Sequence, residues 1–306
     1  MADVILGFSA DRLRSRQKSV EMRVLTSSRT PGSSLMVKFI YSLNSSTIKS
    51  TPILDKIRIA AKVGYKAIEL WHDDIDAYLE TGGQIQDIRK AIDDAGLLVP
   101  TTIFLKGWWD TEGEEYVQKI DEIKRRLAQA EIVGATHSIA GPPHGPVDLA
   151  HGARQYAKLL DVGKEFGVKP VFEYLGFAQE VHTIAIAKQI LEECGHPDAT
   201  MVVDPFHCHV GGGGFEAIMD LKPEQIAISH FNDAPAEPEA STQRDPDRVM
   251  PGDGVIDLKN YCRFLKQIGY DRCLSLELFR PDLWEQDPEE VAAIGLEKMM
   301  SIAESV

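Results

Sequence analysis

The chain has 306 residues, 43% hydrophobic and 26% charged, with 47 acidic against 33 basic side chains and a formal net charge of -14. That composition is globular and can bury a large core, the acidic balance argues against nucleic acid as a partner, and no apolar run approaches the roughly 20 residues that cross a bilayer. The four cysteines, Cys194, Cys208, Cys262 and Cys273, form no CxxC pair, so a thiolate zinc site or redox motif has no support and reduced thiols in a cytoplasm are expected.

Residues 1–35 carry six basic side chains (Arg12, Arg14, Arg16, Lys18, Arg23, Arg29) against Asp3, Asp11 and Glu21, then a Ser-rich run. This segment reads as a flexible extension, or as sequence upstream of a working start at Met36. Its acidic residues and weak periodicity argue against a transit peptide. The fold is expected as a single catalytic domain over residues 36–306.

From Lys38 the chain alternates short β-rich runs with helical patterns. A strand over Lys38–Leu43 precedes a helix with apolar positions Ile53, Ile57, Ala60 and Val63, closed by Gly64. Ala67–Trp71 is the second strand, followed by a helix at 85–95 ending on Gly96. A strand near 100–105, a helix at 116–133 and Gly134 follow. Then come a strand at 137–140, a helix at about 149–166 before Gly167, and a strand from Pro170. A helix at 183–194 before Gly195, a strand at 200–204, a short helix near 215–220 and a strand from Ala227 continue the pattern. A helix at 257–268 before Gly269, a strand from Cys273 and a last helix at 288–303 complete it. Glycine after a helix supplies the left-handed residue that closes it. Eight strand–helix repeats, with no GxGxxG after the first strand, predict a closed parallel (β/α)8 barrel rather than an open doubly wound sheet.

Function in such a barrel sits at the C-terminal ends of the strands. Glu173, Asp204, His230 and Glu277 fall at those ends on strands five to eight. Each alone is an ordinary polar strand end. Together they would crowd like charges into one mouth unless a cation lies among them. Three carboxylates and one imidazole form an oxygen-rich set suited to Mn2+ first, then Mg2+, Co2+ or Zn2+.

The stretches Val-Val-Asp-Pro-Phe-His-Cys-His from Val202, Asp247-Arg-Val-Met-Pro-Gly-Asp-Gly-Val-Ile-Asp, and Ser-Leu-Glu-Leu-Phe-Arg-Pro from Ser275 carry a resemblance. They are similar to the xylose isomerase-like barrels, and within that group to the 2-keto-myo-inositol isomerase family. The resemblance runs from about residue 38 and is sharpest over 170–283. It implies a Glu–Asp–His–Glu metal set on these strands, with Glu173 and Glu277 as catalytic groups that remove and return a proton beside a carbonyl. The implied chemistry is isomerisation of a keto-sugar or keto-polyol through an enediolate. A ketose 3-epimerase, or a lyase or dehydratase acting on a 3-keto-glycoside or inosose, would use the same chemistry. An inactive sugar-binding barrel is the non-enzyme alternative.

Around this set, His207 and Arg248 are expected to contact substrate oxygens, and Trp108 (with Trp109) to offer a ring face to a sugar. Glu69 and His72 end strand two, where a supporting role is favoured over a second metal. Gly211–Gly214 lacks the Lys and Ser/Thr of a phosphate loop and reads as a mobile loop, while Arg248 and Arg280 leave a phosphorylated substrate open. The outer helices, the last with Met299 and Met300, leave room for a homo-oligomer.

Overall fold

A computed structural model describes residues 37–306, so the expected extension over 1–35 lies outside the described residues. Eight parallel strands close into a barrel in sequence order, with β1 beside β8. They are β1 (Ile40–Asn44), β2 (Ala67–Trp71), β3 (Thr101–Leu105), β4 (His137–Ala140), β5 (Lys169–Glu173), β6 (Met201–Val203), β7 (Ile226–Phe231) and β8 (Cys273–Leu276). The first strand is thus two residues later at its start than expected, and ends on Asn44.

The helices are α1 (Ile53–Val63), α2 (His72–Glu80), α3 (Ile85–Ala95), α4 (Gly113–Val133), α5 (Leu149–Lys164), α6 (Ile184–Cys194), α7 (Pro205–Gly211), α8 (Leu258–Ile268), α9 (Pro281–Trp284) and α10 (Pro288–Ala303). Gly64, Gly96, Gly134, Gly195 and Gly269 close their helices with positive φ, as expected. Gly167 does not: α5 ends at Lys164 and Gly167 turns the chain three residues later. The helix expected near 215–220 is a 3-10 segment, Glu216–Asp220. Three helices escape the sequence pattern, α2, α7 and the four-residue α9. α2 leaves β2 with no side-chain cap, and α7 is a short piece capped by Asp204. The glycine run begins inside α7, where a Cβ on Gly211 would lie 2.1 Å from the His182 carbonyl oxygen.

Strand side chains alternate between two environments. Ile68, Leu70, Phe172, Met201, Val203, Phe231, Leu274 and Leu276 join the core between sheet and helices. Ala67, Ile103, Ile139, Val171, Val202, Ile228 and Cys273 fill the barrel interior. Counting by two from the interior set reaches Glu69, Glu173, Asp204, His230 and Glu277. The same alternation that packs the barrel floor therefore aims the polar residues into its mouth.

Candidate metal centre and substrate cavity

The four expected ligands converge: one ligand atom from each of Glu173, Asp204, His230 and Glu277 lies within 4.8 Å of all the others. All four residues are buried. Asp204 caps α7, its Oδ1 accepting from the backbone N of Phe206 at 2.7 Å, so Oδ2 is left for the mouth. His230 Nε2 lies 3.4 Å from Glu69 Oε2, an arrangement that makes this nitrogen the donor. Its Nδ1 then faces acceptors only: Glu277 Oε2 at 3.0 Å, Glu173 Oε1 at 3.1 Å and Asp204 Oδ2 at 3.5 Å. Nδ1 of His230 and Oε1 of Glu173 are both buried without a hydrogen-bond partner. Orphaned lone pairs aimed at one point form a site that can hold a cation. The donor set, three carboxylates and one imidazole, fits a hard divalent ion.

The electrostatics agree. Burial, with Glu277 and Asp204 nearby, pushes the Glu173 carboxyl up to about 7 against the pull of His230. Burial would also raise Asp204, but Arg248, His207 and His230 outweigh it and hold its carboxyl well below the usual range. Burial disfavours the charged imidazole of His230, yet Glu277, Glu69 and Glu173 raise it well above its ordinary value. The carboxylates around the point favour positive charge at Nδ1, against burial.

A cavity of about 150 Å³ opens over this centre. Glu173, Glu277, His207, Arg248, Asp245 and His144 supply its polar wall, and Trp71, Ile103, Phe104, Leu175, Phe177 and Phe279 its apolar wall. Asp204 and His230 do not line it. The mouth therefore separates two carboxylates that face the cavity from a pair that lies behind them.

Arg248 is 1% exposed. Its Nη1 donates to Glu277 Oε2 at 2.7 Å and Asp204 Oδ2 at 2.8 Å, and its Nη2 to Asp245 Oδ1 at 2.9 Å. Phe206 and Phe279 flank its guanidinium at 4.8 and 5.5 Å from their ring centres. His207 accepts at Nδ1 from the Gly176 backbone N, 3.1 Å away, so its proton belongs on Nε2, 3.1 Å from Arg248 Nη2. Two donors thus meet at the cavity wall, and an acceptor oxygen between them would relieve the contact.

Other expected residues lie elsewhere. The structure does not bring Trp108 to the mouth. It is 1% exposed, donates its indole N–H to Gly141 O at 3.1 Å, and packs against Trp109, Tyr156 and Phe172. Two adjacent tryptophans on a loop gave no sign of which way they turn. His72 sits outside the sheet, bonded to Gln129 Oε1 at 2.9 Å and near Ser138 Oγ at 3.4 Å. Arg280 pairs with Asp282 at 2.7 Å and is absent from the cavity wall. With Arg248 held among carboxylates, the cavity has no other arginine or lysine in its wall among the described residues.

Asn44 escaped the sequence reading, because a neutral amide after Ser-Leu carries no charge signal. Its Nδ2 donates to Glu277 Oε1 at 2.9 Å and Glu69 Oε1 at 3.2 Å, while its Oδ1 accepts from Trp71 Nε1 at 2.9 Å. Phe104 and Phe279 were also missed, since an apolar residue in a strand-end loop looks like any core residue.

Fold and site together define a (β/α)8 barrel with an acidic, metal-capable mouth. Residues 57–302 match the family described as Xylose isomerase-like TIM barrel, and the chain belongs to that family. It is similar to inosose isomerase of Bacillus velezensis, 25% identical over 256 residues that cover 80% of this chain and 90% of that protein. It is also similar to 3-dehydroshikimate dehydratase of Pseudomonas aeruginosa, 24% identical over 260 residues, 82% of this chain but 40% of that longer protein. A solved structure of the IOLI protein with a binding zinc atom superposes with a TM-score of 0.81 at 23% identity, over 87% of this chain and 98% of that one.

Proposed function

We propose that this protein is a divalent-metal-dependent isomerase of an uncharged keto-polyol, with 2-keto-myo-inositol as the first substrate to test. The observation that carries the reading is the split of the ligand set: Glu173 and Glu277 face the cavity while Asp204 and His230 stand behind them. Similarity to inosose isomerase supports the substrate class, and the zinc in the IOLI protein supports a metal.

Glu173, Asp204, His230 and Glu277 would hold the ion, which supplies Lewis acidity toward a ketone and its neighbouring hydroxyl. Glu173 and Glu277 belong to β5 and the end of β8, on separate parts of the cavity wall. One removes the proton beside the carbonyl and the other returns a proton to the neighbouring carbon. His207 Nε2 and Arg248 Nη2 donate to a substrate oxygen placed between them. Phe104, Phe177 and Phe279 exclude water and cover the C–H face of the ring. The lack of an uncommitted arginine or lysine in the cavity wall, among the described residues, favours an unphosphorylated substrate.

A second reading, a lyase or dehydratase on a related ring, is favoured by the apolar half of the cavity and by similarity to 3-dehydroshikimate dehydratase. One experiment separates the two. The protein loaded with Mn2+ or Zn2+ is incubated with 2-keto-myo-inositol in D2O and followed by NMR. Solvent deuterium beside the carbonyl, with 1-keto-D-chiro-inositol accumulating and both lost on chelation, is expected. Loss of water from the ring would select the lyase, and no exchange in a metal-loaded protein would sink the isomerase.

A further inference from the structure

The barrel interior holds a carboxylate that the proposed chemistry does not use. Glu69 is fully buried at an inward position of β2, between Ala67 below and Trp71 above. Other inward positions nearby carry Ile103, Ile139, Val171 and Val202, and an apolar side chain would be the cheaper occupant. Among the described residues, His230 is the one basic group within ion-pair distance of Glu69. A buried acid without a lysine or arginine needs another reason to be there.

The contacts supply that reason. Glu69 Oε2 takes Thr101 Oγ1 and lies 3.4 Å from His230 Nε2, while Oε1 accepts from Asn44 Nδ2 at 3.2 Å. Asn44 and Glu69 are register partners on adjacent strands, so the sheet itself sets their spacing. The same Asn44 Nδ2 reaches Glu277 Oε1 at 2.9 Å. Glu69 therefore acts on two members of the metal set, on His230 directly and on Glu277 through Asn44. With Nε2–H committed to Glu69, the lone pair of His230 can only be on Nδ1, the atom aimed at Glu173, Asp204 and Glu277. In the other tautomer a proton would occupy the point where the cation belongs.

We infer that Glu69 is a positioning residue that locks His230 in the metal-binding tautomer and, through Asn44, orients Glu277. The inference rests on the metal reading above. A carboxylate behind a ligating histidine also strengthens the nitrogen as a donor, and losing such a partner costs about 10–100-fold in metal affinity.

The test compares full-length wild type, Glu69→Gln and Glu69→Leu, each stripped of metal and titrated with Zn2+ against a chelating indicator. Glu69→Gln keeps an acceptor for Nε2–H but loses the charge, and should weaken binding about 10-fold; Glu69→Leu loses both and should weaken it about 100-fold. In 15N-histidine-labelled protein at a pH high enough to make the His230 ring neutral, with the His230 signals identified by their absence in His230→Asn, wild type and Glu69→Gln should show the Nε2–H tautomer. Glu69→Leu should show a mixture. Wild-type Zn2+ affinity in folded Glu69→Leu, or an unchanged His230 tautomer there, overturns the inference even if the variant melts at a lower temperature. If Asp204→Asn takes up Zn2+ as well as wild type does, the metal reading fails and takes this inference with it.

Discussion

Arg248 places one positive charge against Asp204, Glu277 and Asp245 while out of contact with bulk water. Breaking a buried ion pair from one side strands the remaining charges and costs about 3–5 kcal/mol. Arg248→Met should therefore lose about that much stability in EDTA, and regain part of it when Zn2+ replaces the missing charge. Urea denaturation with and without metal checks this, and equal losses in both conditions would refute it. Glu277→Gln and Glu173→Gln should each lower kcat by at least 100-fold, because either change removes a proton carrier as well as a charge. Deuterium exchange from labelled substrate would show which of the two starts the reaction. The convergence of the four acidic and imidazole side chains was legible because charge at a strand end after an apolar run is an anomaly that periodicity exposes. Arg248 was legible as a polar contact, but not its confinement among carboxylates. That depends on a loop returning over the mouth, and no local spacing encodes it.

The loop after β7 is organised by one side chain. Asp233 accepts from the backbone N of Ala234 at 2.8 Å, Ile256 at 2.9 Å, Gly252 at 3.0 Å and Gly254 at 3.1 Å. Its own backbone pairs with Val249, the neighbour of Arg248. The motif from Asp247 to Asp257 is thus a clamp that delivers Arg248 to the cavity. At Gly254 a Cβ would lie 2.1 Å from Ala234 O and 2.4 Å from Asp233 Oδ1, both fixed. Gly254→Ala should open the clamp, cost on the order of 2–3 kcal/mol and raise KM, since Arg248 loses its placement. Thermal melts and steady-state kinetics measure both; an unchanged KM would show that the loop and the arginine are independent. The glycine-closed helices were legible because each carries a strong stop signal. α2 and α7 were not, since each begins directly where a strand ends and is short enough for packing rather than sequence pattern to decide it.

At the scale of the whole barrel, pH stability should carry the mark of its buried neutral histidines, His72 among them. His72 is fully enclosed beside Gln129 and Ser138, and burial lowers its pKa from 6.5 to about 4. Between those values the unfolded chain binds a proton that the folded one refuses, so this contribution is present in full above pH 6.5 and is lost as pH falls toward 4. Its full extent is on the order of 3 kcal/mol. His72→Gln should lessen the decline in urea midpoint between pH 6.5 and 4, to which His137 and His207, lowered to about 4 by burial, also contribute, and an unaltered slope would count against it. The barrel itself was legible from eight repeats, but its closure is a long-range event. β1 meets β8, and Thr47 Oγ1 donates to Leu276 O at 2.9 Å and accepts from Leu278 N at 3.2 Å. That closure has a consequence for synthesis. The four residues of the metal-capable set emerge from the ribosome over more than a hundred positions, and Asn44 and Glu69 wait from the start for a histidine and a glutamate made near the end. A nascent chain halted before β8 owns three of the four metal-set side chains and no ring to hold them. The metal-capable set is therefore complete only in a chain whose first and last strands have met.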